Sequence, residues 1–491
     1  MRIGTKEVKL EFGRIGILLF SVLAAIVWGK LIWNVTQAYG EAVKIYQLAA
    51  LLLVLTGLLG VALVFLGKNW KTPVWVGLTI VLFALMNAGL LYFARELRVY
   101  PGWDFGAVYQ GAVEIAESGA FSESSSWYFT TYPNNMAVCL MLALIFKLFG
   151  GLFPYITVGV LLNIALIDLG ILFFLLWIRD QYGAKWMTLA MLLCSLFLPF
   201  YMHVPIFYTD TFALPFVTGT FFLYLLRKND SRFLAAASAL LGIGYKVKGS
   251  LGVILIALLI HTWLQKEKVT EHIRKTVFLV IPFCLLVGTL TVIPQKLLIA
   301  DQADIERNEF PMEHWIAMGL EGGGGYNQNV YLMTASVEGK EEKKAVDREF
   351  IQMKLEAYGT EGLLQHLKEK SIHTWGDGVY FAPEKLKREP LRESRLHSWV
   401  LYEGADYGKT YLYCNAVQIL LLLGILASFL KNLLRKGEVR EIAAMQIAVF
   451  GLFLFLLIWE TRSRYLVNFV PVFLALGIDS IQIRWKVDEK K

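Results

Sequence analysis

Two aspartates in short polar segments are the first candidates for chemistry in this sequence. Asp104 lies in GWDFGAVYQ, shortly after a long apolar segment, and Asp210 lies in FYTD, where another apolar segment begins. A carboxylate in a partly dry cleft can act as a general base that accepts a proton from an attacking hydroxyl. Two such carboxylates could instead share a divalent cation, which prefers hard oxygen ligands. The simpler alternative is that each aspartate caps a helix, because aspartate is favoured at that position.

Four basic residues stand at the ends of apolar segments, in GIGYKVKGS and in WETRSRYLVNFVP. They are Lys246, Lys248, Arg462 and Arg464. Charges at membrane depth are costly and usually serve a ligand or a partner. Arginine offers a planar fork and lysine a point charge, and both suit a phosphate. The alternatives are that the lysines extend to the membrane surface, and that the arginines pair with Glu460 or with lipid headgroups.

The elements that position these residues are transmembrane helices. The chain has 491 residues, 56% of them hydrophobic, and this composition excludes a soluble globular protein. Apolar segments of about 20 residues, long enough to cross the hydrocarbon of a bilayer, recur along the sequence. The net charge of +7 alone would fit nucleic acid, but the positions of the charges fit a lipid bilayer. We expect no nucleic-acid partner.

The pattern predicts an all-α polytopic membrane protein with about twelve spans. The spans are predicted at residues 14–36, 45–67, 73–94, 154–178, 186–203, 210–227, 233–246, 248–264, 276–299, 410–430, 441–459 and 465–482. Residues 136–149 are apolar but short, and we predict a re-entrant or interfacial helix there. Apolar residues at helical spacing after Asp104 predict a short amphipathic helix.

Lysine and arginine residues assign the two sides of the membrane, because short loops rich in them face the cytoplasm. The basic loops of this chain fall on one side if both termini are cytoplasmic. The candidate site then lies on the extracytoplasmic side of the cell membrane. The chain divides into N-terminal transmembrane helices (1–94), a first extracytoplasmic loop (95–135), a transmembrane core (136–299), an extracytoplasmic insert that folds as a small cap (300–409) and C-terminal transmembrane helices (410–491).

With these residues the chain resembles the GT-C superfamily of polytopic glycosyltransferases. It is most similar to the bacterial relatives of protein O-mannosyltransferase and of lipid A aminoarabinose transferase. The matching segments are GWDFGAVYQ, TTYPNN, FYTD, YKVKG and ETRSRYLVNFVP, and the likeness covers roughly residues 73–300 and 440–482. In this chain Phe105 follows Asp104, where many relatives have a second acidic residue.

The resemblance implies a GT-C-like helical bundle and transfer of a sugar from a polyprenyl-phosphate-linked donor. The acceptor would be extracytoplasmic: a cell-wall or surface glycopolymer, a lipid or a protein. Asp104 corresponds to the acidic residue taken as catalytic in the family, and Asp210 to a second acidic position. Arg462, Arg464 and Tyr465 would lie near the donor phosphate, and a divalent cation at the two aspartates stays open.

Four further residues are predicted to position the substrates: Trp103, Tyr132, His203 and Glu460. Trp103 precedes the first-loop aspartate, and His203 closes the apolar segment before FYTD. The resemblance implies that Tyr132 lies where the first loop re-enters the membrane. Glu460 belongs to the motif that carries the two arginines.

Two other functions fit part of the pattern. A polysaccharide polymerase or ligase would act on the same class of lipid-linked donor and differ only in its acceptor. A flippase or transporter of lipid-linked sugars would also need cations, but near the midplane of the membrane and within paired halves of the fold. The candidate residues of this chain collect at one face, and its sequence has no obvious inverted repeat.

Overall fold

A computed structural model of the protein describes residues 5–434 and 439–482. The described chain folds into α-helices and three short 3-10 helices, and no β-strand occurs within these ranges. A single isolated bridge joins Val99 and Pro390. The expected cytoplasmic location of the termini depends partly on basic residues such as Arg2 and Arg484, which lie outside the described residues.

The helices follow one another along the whole described chain. The first group is α1 (Thr5–Ala38), α2 (Ala42–Leu66), α3 (Thr72–Glu96), α4 (Trp103–Ser118), α5 (Glu123–Thr131), α6 (Met136–Phe149) and α7 (Tyr155–Tyr182). The second is α8 (Ala184–Ser195), α9 (Leu198–His203), α10 (Thr209–Phe212), α11 (Leu214–Leu226), α12 (Ser231–Val247), α13 (Gly252–Leu264) and α14 (Val269–Leu298). The third is α15 (Gln302–Asn308), α16 (Met312–Gly319), α17 (Gln328–Ala335), α18 (Lys340–Trp375), α19 (Ala382–Leu386) and α20 (His397–Val400). The last is α21 (Tyr407–Leu434), α22 (Ile442–Ile458) and α23 (Val470–Ile481).

Eight helical segments of the described chain are long and apolar enough to cross a membrane. A helix suits this environment because it satisfies its own backbone hydrogen bonds where no water is available. The segments are Gly13–Ala38, Ala42–Ala62, Thr72–Glu96, Tyr155–Tyr182, Thr209–Leu226, Val269–Leu298, Tyr407–Leu434 and Ser463–Ile481. They correspond to eight of the twelve predicted spans and confirm a polytopic all-α membrane protein.

The other four predicted spans, at residues 186–203, 233–246, 248–264 and 441–459, form shorter helices. The prediction of one continuous span at 186–203 is wrong, because α8 ends at Ser195 and α9 begins at Leu198. Pro199 lies in the first turn of α9, where a proline is tolerated, whereas it cannot continue an existing helix. Twelve crossings therefore stay a prediction.

The apolar segment at 136–149 forms helix α6, as its composition predicts. A 3-10 helix, Pro133–Asn135, separates α6 from α5, and the two helices meet at a bend of 104°. The pair is either one broken span, which would be the ninth, or a re-entrant loop. The amphipathic helix expected after Asp104 is α4, which packs against α6 and buries Val108 and Ala112.

Residues 300–409 are folded and rest on the transmembrane helices. Helix α16 packs against α22, α18 packs against both α1 and α22, and α19 packs against α9. A positive φ of 54° at Gly359 kinks α18. The backbone oxygen of Gly319 accepts hydrogen bonds from His366 and Lys370 inside this segment. Its location outside the cytoplasm stays a prediction.

Candidate functional site

Three charged side chains from distant parts of the sequence meet at the centre of the site. Asp210 Oδ1 accepts a hydrogen bond from Lys248 Nζ at 2.6 Å, and Asp210 Oδ2 accepts one from Arg464 Nη1 at 2.7 Å. The side chains of the three residues are 3%, 10% and 12% exposed. We call these residues the Asp210 cluster. The structure thus brings together three residues that the sequence singled out, while their extracytoplasmic location stays a prediction.

Breaks in the helices allow these side chains to meet. Asp210 lies in the one-turn helix α10. This helix begins directly after Tyr208, which has an extended conformation. Lys248 is extended (φ −151°, ψ 110°) between α12 and the 3-10 helix Gly249–Leu251. Arg464 lies in the 3-10 helix Ser463–Phe469, which begins after the extended Arg462. Each residue is thus placed at the start or end of an apolar helix, where a charged side chain can turn towards its partners.

An aromatic ring lies beside the two cations of the cluster. The ring centre of Tyr465 is 4.3 Å from Lys248 Nζ and 4.9 Å from the guanidinium carbon of Arg464. Tyr465 donates its hydroxyl hydrogen to Glu460 at 2.6 Å. Burial raises the pKa of the Glu460 carboxyl, so the side chain is less easily ionised there. The face of the ring stabilises the two cations, and the desolvated environment strengthens their electrostatic interactions.

The charges within the Asp210 cluster do not cancel. Asp210 supplies one negative charge to two cations, and one further donor of Arg464, Nε, is buried without a hydrogen-bond partner among the described residues. A buried donor without a partner, beside an excess of positive charge, is costly unless an anion binds. The cluster therefore has the character of an anion-binding site.

Asp104 has a different environment close to this cluster. Its Oδ1 accepts a hydrogen bond from the Tyr128 hydroxyl at 3.2 Å, and Asn135 donates to the same hydroxyl at 2.7 Å. The Asp104 side chain is exposed. Tyr208 adjoins Tyr128 and is within electrostatic reach of both aspartates and of Arg464. The two aspartates are therefore on the same side of the bundle.

The helix-capping interpretation is wrong for both aspartates. The N-cap of α4 is Gly102 and the N-cap of α10 is Tyr208, and neither helix start has a side-chain cap. Asp104 and Asp210 instead lie in the first turns of these helices. Their carboxylates are bonded to a tyrosine and to cations, and not to the backbone N–H groups of a helix start.

Trp103 begins α4 with a left-handed backbone conformation (φ 57°), which is uncommon for a bulky residue. Lys385 Nζ lies 4.9 Å from the centre of its ring, and the Arg388 guanidinium contacts the same ring. Lys385 itself is 5% exposed. It lies within electrostatic reach of Arg464, Asp210, Asp104 and Arg388.

His203 and Tyr132, two further residues predicted from the sequence, have their described contacts outside the Asp210 cluster. His203 is buried and its Nε2 lies 3.0 Å from the backbone oxygen of Tyr380, so this nitrogen carries the proton. Tyr132 packs against the rings of Tyr128, Phe310 and Trp315.

Lys246 is half-buried, and Glu309 is a charged neighbour within electrostatic reach of it. No described contact joins it to Asp210.

Arg462 does not share the contacts of Arg464. Its Nη1 lies 2.8 Å from His373 Nε2, and its guanidinium lies over the ring of Phe381 at 5.2 Å. Because arginine only donates, His373 must accept and is neutral. Desolvation and the charge of Arg462 both lower the pKa of His373. The expected alternative, an ion pair of either arginine with Glu460, is not the arrangement found within the described residues.

The glycine-rich segment of residues 322–325 encloses the Arg462 motif. The backbone nitrogen of Thr461 donates to the oxygen of Gly324 at 2.8 Å, and that of Glu460 donates to the oxygen of Trp315 at 2.9 Å. A Cβ atom at Gly325 would overlap the guanidinium of Arg462. Absence of a side chain thus lets this backbone approach the motif closely.

Comparison with known proteins agrees with the membrane architecture. A family described as conserved hypothetical integral membrane protein matches residues 9–484. The chain belongs to this family. None of the curated proteins matches it. The match supports a multi-pass integral membrane protein that associates with the lipid bilayer.

A divalent cation shared by Asp104 and Asp210 does not fit the donors of this family member. Both oxygens of Asp210 are bonded to cations, which would repel a metal ion. No group of three or more His, Cys, Asp or Glu side chains suitable for a metal occurs in the described chain. We derive no step through a metal.

Lys385, Arg388, Tyr128 and Tyr208 are the site residues that sequence reasoning missed. Tyr208 directly precedes the Thr209–Asp210 pair, and its position in FYTD was a usable signal. Lys385 and Arg388 belong to the 300–409 segment, which carries no recognisable motif around them. Only the docking of α19 against α9 brings Lys385 to the site.

Proposed function

We propose that this protein is a membrane glycosyltransferase of GT-C type. It moves a sugar from a polyprenyl-phosphate-linked donor to an extracytoplasmic glycopolymer, lipid or protein. The observation that carries the proposal is the Asp210 cluster, in which Lys248 and Arg464 exceed the charge of their one carboxylate. An exposed carboxylate, Asp104, lies on the same side of the bundle.

The cations suit the leaving group of such a reaction. When the bond between the anomeric carbon and the phosphate oxygen breaks, the electron pair stays on that oxygen and negative charge grows there. Arg464 has a buried donor, Nε, without a partner among the described residues, and Lys248 lies beside it on the other face of Asp210. Positive groups fixed in a desolvated site stabilise this developing charge more than they stabilise the bound donor.

Asp104 suits the role of general base. The acceptor hydroxyl attacks the anomeric carbon, the new carbon–oxygen bond forms, and the hydroxyl proton moves to the carboxylate. Tyr128, which Asn135 holds by a hydrogen bond of its own, orients the Asp104 carboxylate. Asp210 has no free oxygen for this role, because both of its oxygens are bonded to cations. We therefore assign Asp210 to positioning Lys248 and Arg464.

The remaining predicted residues belong to the walls of the proposed site. The ring of Tyr465 contacts both cations, and Glu460 holds the Tyr465 hydroxyl. Trp103 and Tyr132 lie near Asp104, where they would position the substrates. His203 supports the wall through Tyr380. In this proposal twelve apolar segments, including the one broken between α8 and α9, cross the membrane, and residues 300–409 cover the site from the extracytoplasmic side.

A polymerase or ligase would use the same chemistry with a glycan acceptor, so it differs in substrate and not in mechanism. A flippase would hold its cations near the membrane midplane between paired halves of the fold. Here the cations lie at the ends of apolar helices, beside a carboxylate that a transporter does not need. This arrangement favours group transfer.

The test is a transfer assay with the purified protein in liposomes and a prenyl-phosphate-linked radiolabelled sugar. We expect Asp104→Asn to slow transfer by at least about 100-fold, because the amide cannot accept the proton. Glu123→Gln is the matched control, since Glu123 is an exposed carboxylate at the start of α5, and it should transfer at the wild-type rate. Near-normal turnover by the Asp104→Asn variant would remove Asp104 from the reaction.

A further inference from the structure

Lys385 is a buried lysine without a carboxylate partner. Its residue is 5% exposed, and no ion pair joins it to an acidic side chain in the described ranges of the chain. Its contact is the face of Trp103, 4.9 Å from the ammonium nitrogen. Buried lysines are normally paired, because a lone buried ammonium is costly. The position therefore suits a positive charge whose partner is a ligand.

The neighbours of Lys385 belong to the same site. The charged groups around it are Arg464, Asp210, Asp104 and Arg388. Asp210 is already shared by Lys248 and Arg464, and Arg388 faces Glu384 at 3.5 Å. Asp104 is within electrostatic reach, but its described hydrogen bond comes from Tyr128 and it forms no ion pair with Lys385 among the described residues.

Arg464, a charged neighbour of Lys385, has a buried donor of its own. Arg464 uses Nη1 for Asp210, but its Nε is buried without a partner among the described residues. Arg464 is also the charged neighbour with the largest effect on Lys385. Lys385 is not bonded to Asp210, so it lies outside the pair of cations that would hold a first phosphate. A ligand with two adjacent anionic groups would satisfy both the pair and Lys385.

We propose that Lys385 and Trp103 form a second anion subsite, so that the lipid-linked ligand carries a diphosphate and not a single phosphate. This inference rests on the proposed function and names its donor class more closely. The phosphate next to the sugar would bind Lys248 and Arg464, and the next phosphate would bind Lys385. In the transfer step the anomeric carbon–oxygen bond breaks, the lipid diphosphate leaves with the electron pair, and the acceptor proton goes to Asp104.

The electrostatics of Lys385 agree with this geometry. Burial, and then the charge of Arg464, lower the pKa of Lys385 to about 7. A bound phosphate would raise that pKa again, since an adjacent negative charge favours the ammonium form. Binding near pH 7.5 should then be accompanied by uptake of a proton by this side chain.

The experiment compares two probes, farnesyl phosphate and farnesyl diphosphate, by calorimetric titration of the detergent-solubilised full chain. We expect the wild type to bind the diphosphate at least about 10-fold more tightly, as an added charge-assisted contact would give. Lys385→Met should remove most of this preference while leaving the affinity for the monophosphate within about twofold. Lys387→Met is the matched control, because Lys387 is close in sequence but pairs with Glu384 at 2.8 Å, and it should keep the preference.

Two further measurements separate binding from folding. Titration at pH 7.5 in buffers of different ionisation enthalpy should show less proton uptake for Lys385→Met than for the wild type. The unfolding temperature of Lys385→Met should equal or exceed that of the wild type, because the change removes a buried charge. A fall of more than about 5 °C would instead make Lys385 structural and overturn the proposal.

The other outcomes are distinct. A Lys385→Met variant that keeps the preference, or loses affinity for both lipids equally, overturns the diphosphate subsite and leaves the phosphate site of the proposed function intact. Inorganic pyrophosphate that binds as tightly as farnesyl diphosphate overturns the lipid-linked identity of the ligand. A wild type that prefers the diphosphate in a Lys385-dependent way but transfers no sugar keeps the subsite and overturns the glycosyltransferase.

Discussion

Asp210 and Asp104 are two aspartates in first turns of helices at the same side of the bundle, yet their surroundings are opposite. Asp210 is 2% exposed and both of its oxygens are bonded to cations. Asp104 is exposed, and its described hydrogen bond comes from the neutral hydroxyl of Tyr128. The same residue type thus has two environments within one site.

Because their environments differ, the two carboxylates have different expected roles. A carboxylate held between an ammonium and a guanidinium is a poor proton acceptor, because protonation would leave two buried cations without a counter-charge. It is well suited to fix the positions of those cations. A carboxylate that faces solvent and one phenol can accept a proton and release it again. We therefore expect structure to depend on Asp210 and turnover to depend on Asp104.

The largest expected effect comes from Asp210→Asn. The amide keeps the shape of the side chain but removes the charge between Lys248 and Arg464. Breaking a buried ion pair in this way typically costs about 3–5 kcal/mol, so the unfolding temperature in detergent should fall strongly and transfer should be lost. Asp104→Asn should leave the unfolding temperature unchanged.

A double variant sharpens this test. Asp210→Asn combined with Lys248→Met removes one of the two uncompensated cations, and it should regain part of the lost unfolding temperature. An Asp210→Asn variant that unfolded at the wild-type temperature would contradict the structural role of Asp210. Asp210 would then have no role in holding the cations together.

A smaller effect is expected from replacing Arg464, the cation that reaches both Asp210 and the proposed phosphate. Arg464→Lys keeps the charge but loses the planar fork and the free Nε donor. We expect turnover with the prenyl-phosphate sugar to fall by about 10-fold, and by about 100-fold in Arg464→Ala. The unfolding temperature of each variant reports on folding. Full activity in both folded variants would reduce Arg464 to a partner of Asp210.

Much of the helical architecture could be predicted from the sequence. Apolar segments of sufficient length predicted the eight long helices, since length and composition control membrane insertion directly. The positions of basic loops predicted that Asp104, Asp210, Lys248 and Arg464 share one side of the membrane, and which side faces the cytoplasm stays a prediction. Within the insert, by contrast, nothing distinguished Lys385 from other lysines, because its burial depends on how α19 docks against α9.

The pairing inside the site was also beyond sequence reasoning. Lys248 and Arg464 come from positions 38 and 254 residues after Asp210, and no local pattern states that both would bond to one carboxylate. Trp103 adopts a left-handed backbone conformation that favours glycine over a bulky residue. The break at Phe197 is different, since Pro199 was a visible signal that a helix could begin there.

The smallest expected effect concerns Arg462, the second arginine of the motif, which bonds to His373 and not to Asp210. Gly325→Ala would place a methyl group against its guanidinium, whereas Gly323→Ala meets His373 at an ordinary 3.5 Å. Because the guanidinium is the end of a flexible side chain, we expect it to move and the protein to remain folded. Binding of farnesyl phosphate by Gly325→Ala should then weaken by about threefold, a fraction of one charge-assisted contact. Gly323→Ala should bind like the wild type. Equal affinity in both variants would show that Arg462 does not contribute to phosphate binding. Arg464, in the Asp210 cluster, would then be the residue of the motif that holds the donor.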